Sequence, residues 1–254
     1  MRPNTVKALL KEGKPTVGAW MNFPCVMEAE ALANIGWDWV CLDVQHTAVG
    51  IETIANIFLA IGANGSIPLA RVPGGDPTLI GRMLDAGAYG VIVAQVNTKA
   101  DAELAVSATK FAPVGIRSSG AGRYEYFAGG DYARYANEEM LCIPMIEHIE
   151  AVENVEEILS VPGVDGCFIG PWDLAMSMGL ALDWEKTADQ RAVAVKRVLD
   201  AAKKLGVPAG IHCGSPEEVN QRIEAGFQFL AAASDVSFML KTAREFYGKI
   251  KRAE

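Results

Sequence analysis

Eight short apolar runs, each followed by a segment with helical periodicity, constrain this chain more than any other feature. The runs are Thr16–Met21, Trp39–Asp43, Ile67–Val72, Gly90–Val96, Leu141–Glu147, Gly166–Gly170, Ala209–Cys213 and Phe229–Ala233. Helical patterns follow them at Val26–Ile35, Ile51–Ala63, Thr78–Ala86, Lys99–Thr109, Ala151–Leu159, Thr187–Leu205, Pro216–Ala225 and Ser237–Lys251. Strands that alternate with helices form right-handed βαβ units on a parallel sheet. Eight such units predict a closed (β/α)8 TIM barrel rather than a doubly wound sheet. No glycine-rich dinucleotide fingerprint opens the first unit, which weighs against a Rossmann alternative. The length of 254 residues suits one such barrel, a single domain over 1–254.

Half of the residues are hydrophobic, enough for a large core. A net charge of −8 argues against nucleic acid or an anionic membrane as the main partner. No apolar stretch reaches the roughly 18 residues of a membrane span, and Met1-Arg2-Pro3-Asn4 begins no secretory signal. The five cysteines form no CxxC pair, and Cys41, Cys142 and Cys167 lie inside strand-like runs. Buried, reduced thiols in a cytoplasmic protein are the expectation.

Gly36, Gly87 and Gly226 each follow a helical pattern, where glycine permits the left-handed turn that leads into a strand. Two connections are long: Phe111–Met140, rich in glycine and aromatics, and Pro171–Lys186, which carries Trp172 and Trp184. Long ordered connections in a compact domain serve function or assembly.

The chemistry gathers at strand ends. Asp43 closes the second run and His46 follows it; Arg71 lies near the end of the third; Glu147 closes the fifth; Asp173 follows the sixth. In a TIM barrel these ends share one face, the face that carries active sites. Glu147 and Asp173 offer only oxygen, which suits a hard divalent cation. Asp43, three residues before His46, forms an expected carboxylate–imidazole dyad for acid–base work. Arg71 beside two acids suits a carboxylate or an enolate. Structural readings stand beside these: Arg71 as an ion-pair partner, His46 as a loop histidine, and Glu147 or Asp173 as a helix N-cap. His212 is a weaker pocket candidate, and His148 should point away from Glu147.

These residues resemble the HpcH/HpaI family of class II pyruvate aldolases, which includes the 4-hydroxy-2-oxoheptanedioate and 2-keto-3-deoxy-sugar-acid aldolases. The carriers are Leu42-Asp43-Val44-Gln45-His46, Arg71-Val72-Pro73, Leu84-Asp85-Ala86-Gly87-Ala88, Gly115-Ile116-Arg117, Ile146-Glu147 and the run from Gly163 to Leu174. The resemblance implies Mg²⁺, Mn²⁺ or Co²⁺ held by Glu147 and Asp173, with oxygens of pyruvate completing the shell. It implies that Arg71 stabilises the enolate and that Asp43 and His46 supply acid–base function. Substrate is expected against Arg71 and the Gly170-Pro171-Trp172-Asp173 turn. The partners implied are pyruvate with an aldehyde, or a 4-hydroxy-2-oxo acid. The resemblance also implies a hexamer, a trimer of dimers whose protomers exchange C-terminal helices (about 237–251 here), with Asp85 linked to the neighbouring protomer's site.

Several positions depart from the family pattern. Gln45 stands where glutamate is frequent, Met145 where a glutamine is usual, and Ala94-Gln95 where Pro-Met is usual. Trp172 replaces a smaller residue. It is expected to narrow the mouth or to stack on the loop carrying Tyr124 and Tyr126, while Gln95 offers a polarity that Met145 lacks. An altered aldehyde pocket is the expectation. Oxaloacetate decarboxylation, or carbon–carbon bond formation like that of macrophomate synthase, is the alternative at the same site; a retained, non-catalytic barrel is the third reading.

Overall fold

A computed structural model describes residues 1–120 and 122–251. Among them, eight strands close into a parallel barrel in sequence order. They are β1 (Thr16–Met21), β2 (Trp39–Asp43), β3 (Ile67–Val72), β4 (Gly90–Val93), β5 (Leu141–Ile146), β6 (Cys167–Ile169), β7 (Ala209–Cys213) and β8 (Phe229–Ser234). Closure leaves no strand edge open, and β1 pairs with both β2 and β8. The strands are apolar almost throughout because helices cover their outer faces and side chains fill the inside. Trp39 stacks on Phe229 with ring centroids 4.4 Å apart, and Phe168 meets Phe229 edge to face at 5.9 Å. Four cysteines are buried and Cys25 is exposed; all five are free thiols.

β4 and β5 stop short of the sequence expectation. β4 ends at Val93, and the chain then turns at Gln95 with φ of 57°. The pattern Ala151–Leu159 is two short helices, Ile149–Glu153 and Val155–Leu159, broken at Asn154, whose Nδ2 donates to the Asn97 carbonyl. The long connection Phe111–Met140 contains helices Tyr124–Ala128 and Tyr132–Glu139. Gly87 and Gly226 do cap their helices in the left-handed conformation, at φ of 116° and 100°.

The helix Thr5–Lys11, absent from the sequence expectations, crosses the N-terminal ends of β4, β5 and β6. Asn4 caps it by accepting from the Lys7 N–H, and buried Val6 and Leu10 seat it. Lys7 Nζ donates to the Met140 carbonyl at 2.9 Å and pairs with Asp165 at 2.7 Å. Lys110 Nζ donates to the same carbonyl at 2.8 Å and lies 3.8 Å from Asp165. Burial pulls the Lys110 ammonium down to about 8, against the opposing charge of Asp165. The unfolded chain therefore binds more protons than the fold between about pH 8 and the ordinary lysine value near 10.4, so this group's contribution to stability rises with pH across that window. Asp165→Asn leaves two buried ammonium groups without their counter-charge. It is expected to cost about 3–5 kcal/mol in denaturant unfolding at pH 7, and less at pH 9.5, where Lys110 is already neutral. An equal loss at both pH values would show that Asp165 does not compensate the Lys110 charge.

Candidate active site

At the C-terminal end of the barrel lies a cavity of about 750 Å³. Asp43, His46, Arg71, Gly170, Pro171, Trp172 and Asp173 all line it. The strand ends therefore bring together what the sequence distributes over 130 positions.

Register explains the centre. Asp43 and Arg71 are direct partners across β2 and β3, so their side chains leave the sheet on the same face. Arg71 forks onto Asp43, with Nε to Oδ1 at 3.0 Å and Nη2 to Oδ2 at 2.6 Å. Both groups are buried. The remaining capacity of Asp43 is also taken. Oδ1 accepts the backbone N–H groups of Gln45 and His46, each at 3.0 Å. Oδ2 accepts Asn22 Nδ2 at 3.2 Å and Trp20 Nε1 at 3.4 Å. Burial acts to raise the Asp43 carboxyl, but the hydrogen bonds and charge of Arg71, with the N–H groups of His46 and Trp20, hold it below the usual carboxylate range.

The expected dyad thus takes a different form. Asp43 bonds to the main chain of His46, not to its imidazole, because the imidazole is exposed and every carboxylate lone pair already has a donor. Gln45 joins the same cluster: its amide oxygen accepts Arg71 Nη1 at 2.5 Å. A neutral amide there leaves the Arg71 charge balanced by Asp43 alone among the groups it hydrogen-bonds. The Arg71 guanidinium also lies 5.6 Å over the Trp20 ring.

Glu147 follows β5 and is buried. Oε1 accepts the Gln95 backbone N–H at 2.8 Å, whereas Oε2 is buried with no hydrogen-bond partner. Burial pushes this carboxyl above the usual range; the Gln95 N–H pulls it down and the charge of Asp173 raises it further. The left-handed backbone of Gln95 aims that N–H at Glu147, so Gln95 serves the site through its main chain. Its side chain is exposed and does not make up for Met145. Asp173 occupies the first turn of the helix Pro171–Ser177; Gly170, not Asp173, stands at the N-cap. His148, not Glu147, caps Ile149–Glu153, accepting the Glu150 N–H on Nδ1 at 3.2 Å. The acids are therefore not needed as caps.

Does this pair fit a cation? A buried carboxylate oxygen without a partner is costly in the bare protein and calls for a positive ligand. A Cβ placed on Gly170 would lie 2.9 Å from Glu147 Oε2, so the absence of a side chain there leaves that oxygen uncrowded on this side. Among the described residues no three His, Cys, Asp or Glu side chains converge as a ligand cluster. The donor set is two acids, which fits a hard ion that takes its other oxygens from substrate and water. Gly170→Ala is expected to weaken Mn²⁺ binding about 10- to 100-fold, as loss of support for a ligand does. Titration calorimetry checks this, and unchanged affinity would mean that Glu147 Oε2 does not face the ion.

The other predicted residues divide between the cavity and the far end of the barrel. Asp85 does not line the cavity. It ends the helix Pro77–Ala86, which carries it to the opposite end of the barrel, and its carboxylate accepts Arg117 Nη2 at 2.8 Å. Arg117 in turn sits 4.4 Å over Phe111 and donates to the Tyr132 hydroxyl at 2.8 Å. Trp172 stacks on Trp184 at 5.4 Å rather than on the loop of Tyr124 and Tyr126. His212 lines the cavity, edge-on to Trp20 at 5.8 Å. Burial pulls its imidazole below the ordinary histidine value, opposed by Glu218 and reinforced by Arg71. Trp20 and Asn22, which hold Asp43 from β1 and just beyond it, escaped sequence reasoning. Only their place after the first run could have marked them.

Residues 18–242 match the HpcH/HpaI aldolase/citrate lyase family. The chain is 38% identical to a hydroxypyruvate/pyruvate aldolase from Rhizorhabdus wittichii, over 95% of this chain and 96% of the relative. It is 34% identical to the 4-hydroxy-2-oxo-heptane-1,7-dioate aldolase of Shigella sonnei, over 94% and 92% of the two chains. The solved structure of an HpcH/HpaI aldolase/citrate lyase family protein from Burkholderia cenocepacia superposes with a TM-score of 0.91 at 35% identity, covering 97% and 98%. A closed eight-strand barrel whose mouth gathers Asp43, Arg71, Glu147 and Asp173, and a sequence match over nearly the whole chain, lead to one conclusion: this protein belongs to the HpcH/HpaI aldolase/citrate lyase family.

Proposed function

We propose that the protein is a divalent-metal-dependent lyase that cleaves 4-hydroxy-2-oxo acids to pyruvate and an aldehyde, and joins them in reverse. The observation that carries this reading is the pairing, at one mouth, of a guanidinium locked by Asp43 with a buried carboxylate oxygen that has no partner. Glu147 and Asp173 would hold Mg²⁺, Mn²⁺ or Co²⁺. Such an ion supplies a Lewis acid that draws electron density from a keto oxygen.

The chain's own residues do the rest. Arg71, fixed by the Asp43 fork, presents its outer N–H groups to the oxygen on which the enolate charge develops. A preset donor needs no reorganisation when that charge appears. His46, exposed at the rim and lining the cavity, takes the proton of the 4-hydroxyl in the cleavage direction. The C3–C4 bond then breaks, its electron pair forms the C2–C3 double bond while the C2 carbonyl π pair moves onto oxygen, and the aldehyde leaves. Return of the proton held by His46, directly or through water, to C3 re-forms the C2 carbonyl and completes pyruvate. Asp43 acts by holding Arg71 and by fixing the turn that carries His46.

Chelator-stripped protein should release no pyruvate from a panel of 4-hydroxy-2-oxo acids, and Mg²⁺, Mn²⁺ or Co²⁺ should restore release. Pyruvate from oxaloacetate alone would favour decarboxylation, and pyruvate from neither would overturn the assignment.

An oligomer belongs to the same proposal. The helix Asp235–Gly248 exposes Met239 and Phe246, and Ile250 just beyond it is exposed as well. This apolar face fits exchange of the C-terminal helix between paired protomers of a hexamer, with Asp85 near a neighbour's site. Sedimentation should give a species larger than the 27.2 kDa chain. Among the described residues no helix is long and apolar enough to cross a membrane. A cytoplasmic location completes the reading and is supported by the buried free thiols.

A further inference from the structure

The outer half of the cavity has a chemistry that the pyruvate half does not explain. Trp172 and Trp184 line one side, stacked at 5.4 Å with their planes 29° apart. Arg191 fixes the pair from behind: its guanidinium lies 3.6 Å over the Trp184 ring, and Nη1 donates to the Trp184 carbonyl and, at 2.6 Å, to Thr187 Oγ1. Held in this way, the pair lines the cavity with apolar ring surface at little further cost in side-chain entropy, and Trp172 is the more exposed of the stack. His212, biased by burial toward its neutral form, and Glu218 line the same cavity.

Apart from Arg71, cationic side chains stay out of the lining: the Arg191 guanidinium lies on the Trp184 ring and bonds to the Trp184 carbonyl and Thr187. Among the described residues that line the cavity, Arg71 is the one lysine or arginine, and its fork is engaged by Asp43 and Gln45. Arg222, near the rim, pairs with Glu218 at 3.0 Å. An aldehyde tail bearing carboxylate, sulfonate or phosphate would meet Glu218 and neutral groups there, and would lose its hydration without a counter-charge. A flat or CH-rich uncharged tail would lose little water and gain the indole faces.

We propose that this outer half selects uncharged aldehydes, with Trp172 and Trp184 as the specificity-determining wall. The aldehyde body that fits is one with a face that stacks on indole, whether an aromatic ring or the CH face of a hydroxylated chain. This inference rests on the lyase reading above, because it assumes that pyruvate occupies the Arg71 end.

The test is condensation of pyruvate by the metal-loaded enzyme with three acceptors: benzaldehyde, glyceraldehyde and succinic semialdehyde. Exchange of the pyruvate methyl protons in deuterated water, followed by NMR without any aldehyde, reports enolate formation separately. Exchange with a kcat/KM for at least one neutral acceptor about tenfold or more above that for succinic semialdehyde supports the proposal; a tenfold ratio is the worth of one good stacking contact. The higher of the two neutral rates tells ring from hydroxylated chain. Exchange with succinic semialdehyde preferred or equal overturns the wall as a charge filter. No exchange overturns the lyase reading itself, and with it this inference. Trp184→Ala should lower the neutral-to-anionic ratio about tenfold, mainly through KM for the neutral acceptor; an unchanged ratio would remove Trp184 from the wall.

Discussion

Glu147→Gln is expected to abolish tight Mn²⁺ binding and to lower pyruvate release from 4-hydroxy-2-oxo acids by roughly three orders of magnitude, since a bound metal contributes several kcal/mol to stabilising the transition-state charge. Glutamine keeps the shape and retains an acceptor for the Gln95 N–H. It removes the charge from an oxygen that is buried and has no partner in the protein. The fold should tolerate the change well, because a neutral amide is easier to bury than a carboxylate raised by burial and by Asp173. Titration calorimetry with Mn²⁺ and a pyruvate assay would measure both effects, and circular dichroism would show an intact barrel. Near-wild-type activity would sink the role of Glu147 as a ligand. Asp173→Asn should also abolish activity. Since Asp173 is exposed, water can replace it in part, and residual Mn²⁺ affinity should exceed that of the Glu147 variant.

Arg71→Ala is expected to reduce kcat by about 10²- to 10³-fold, the usual loss when one preset donor to a developing oxyanion is removed. Stability suffers too, since Asp43 stays behind in a buried place with its strongest partner gone; the expected cost is about 3–5 kcal/mol. Arg71→Lys separates the two effects. It keeps the charge that compensates Asp43 but loses the two-pronged fork, so most stability should return while kcat stays low. If Arg71→Ala turned over substrate normally, the guanidinium would be a structural ion pair only. Asp43→Asn then tests how the acid works. If Asp43 holds Arg71, the variant should resemble a milder Arg71 change and leave the pH profile of the His46 step in place. A shifted profile would instead restore the direct dyad with the imidazole.

Much of the site was legible in the chain because strand ends are positions that periodicity can locate. Asp43, Arg71, Glu147 and Asp173 each stand at or just past an apolar run, and a parallel barrel sends all such ends to one face. The helix over the barrel floor was not legible. Its anchors, Asn4 and Lys7, bond to Tyr89, Glu139 and Met140, more than eighty positions away. Trp20 and Asn22 were missed for a related reason: their value lies in reaching Asp43 from the neighbouring strand, a pairing that only the folded sheet sets, and neither residue type marks a site alone.

The sequence by itself determined the alternation of strands and helices, hence the barrel, and the set of acids, arginine and histidine at its mouth. Tertiary structure decided which of them serve each other. The spacing of Asp43 and His46 suggested a carboxylate–imidazole pair, yet cross-strand register put Arg71 directly opposite Asp43, and the turn offered two backbone N–H groups to the same oxygens. A carboxylate has about four lone-pair sites, and six donors already compete for them. Likewise, nothing local linked Trp172 with Trp184; a folded connection stacked them and gave the cavity its outer wall. Distance along the chain limits what residue spacing can tell, whereas the closed sheet fixes neighbours by geometry alone.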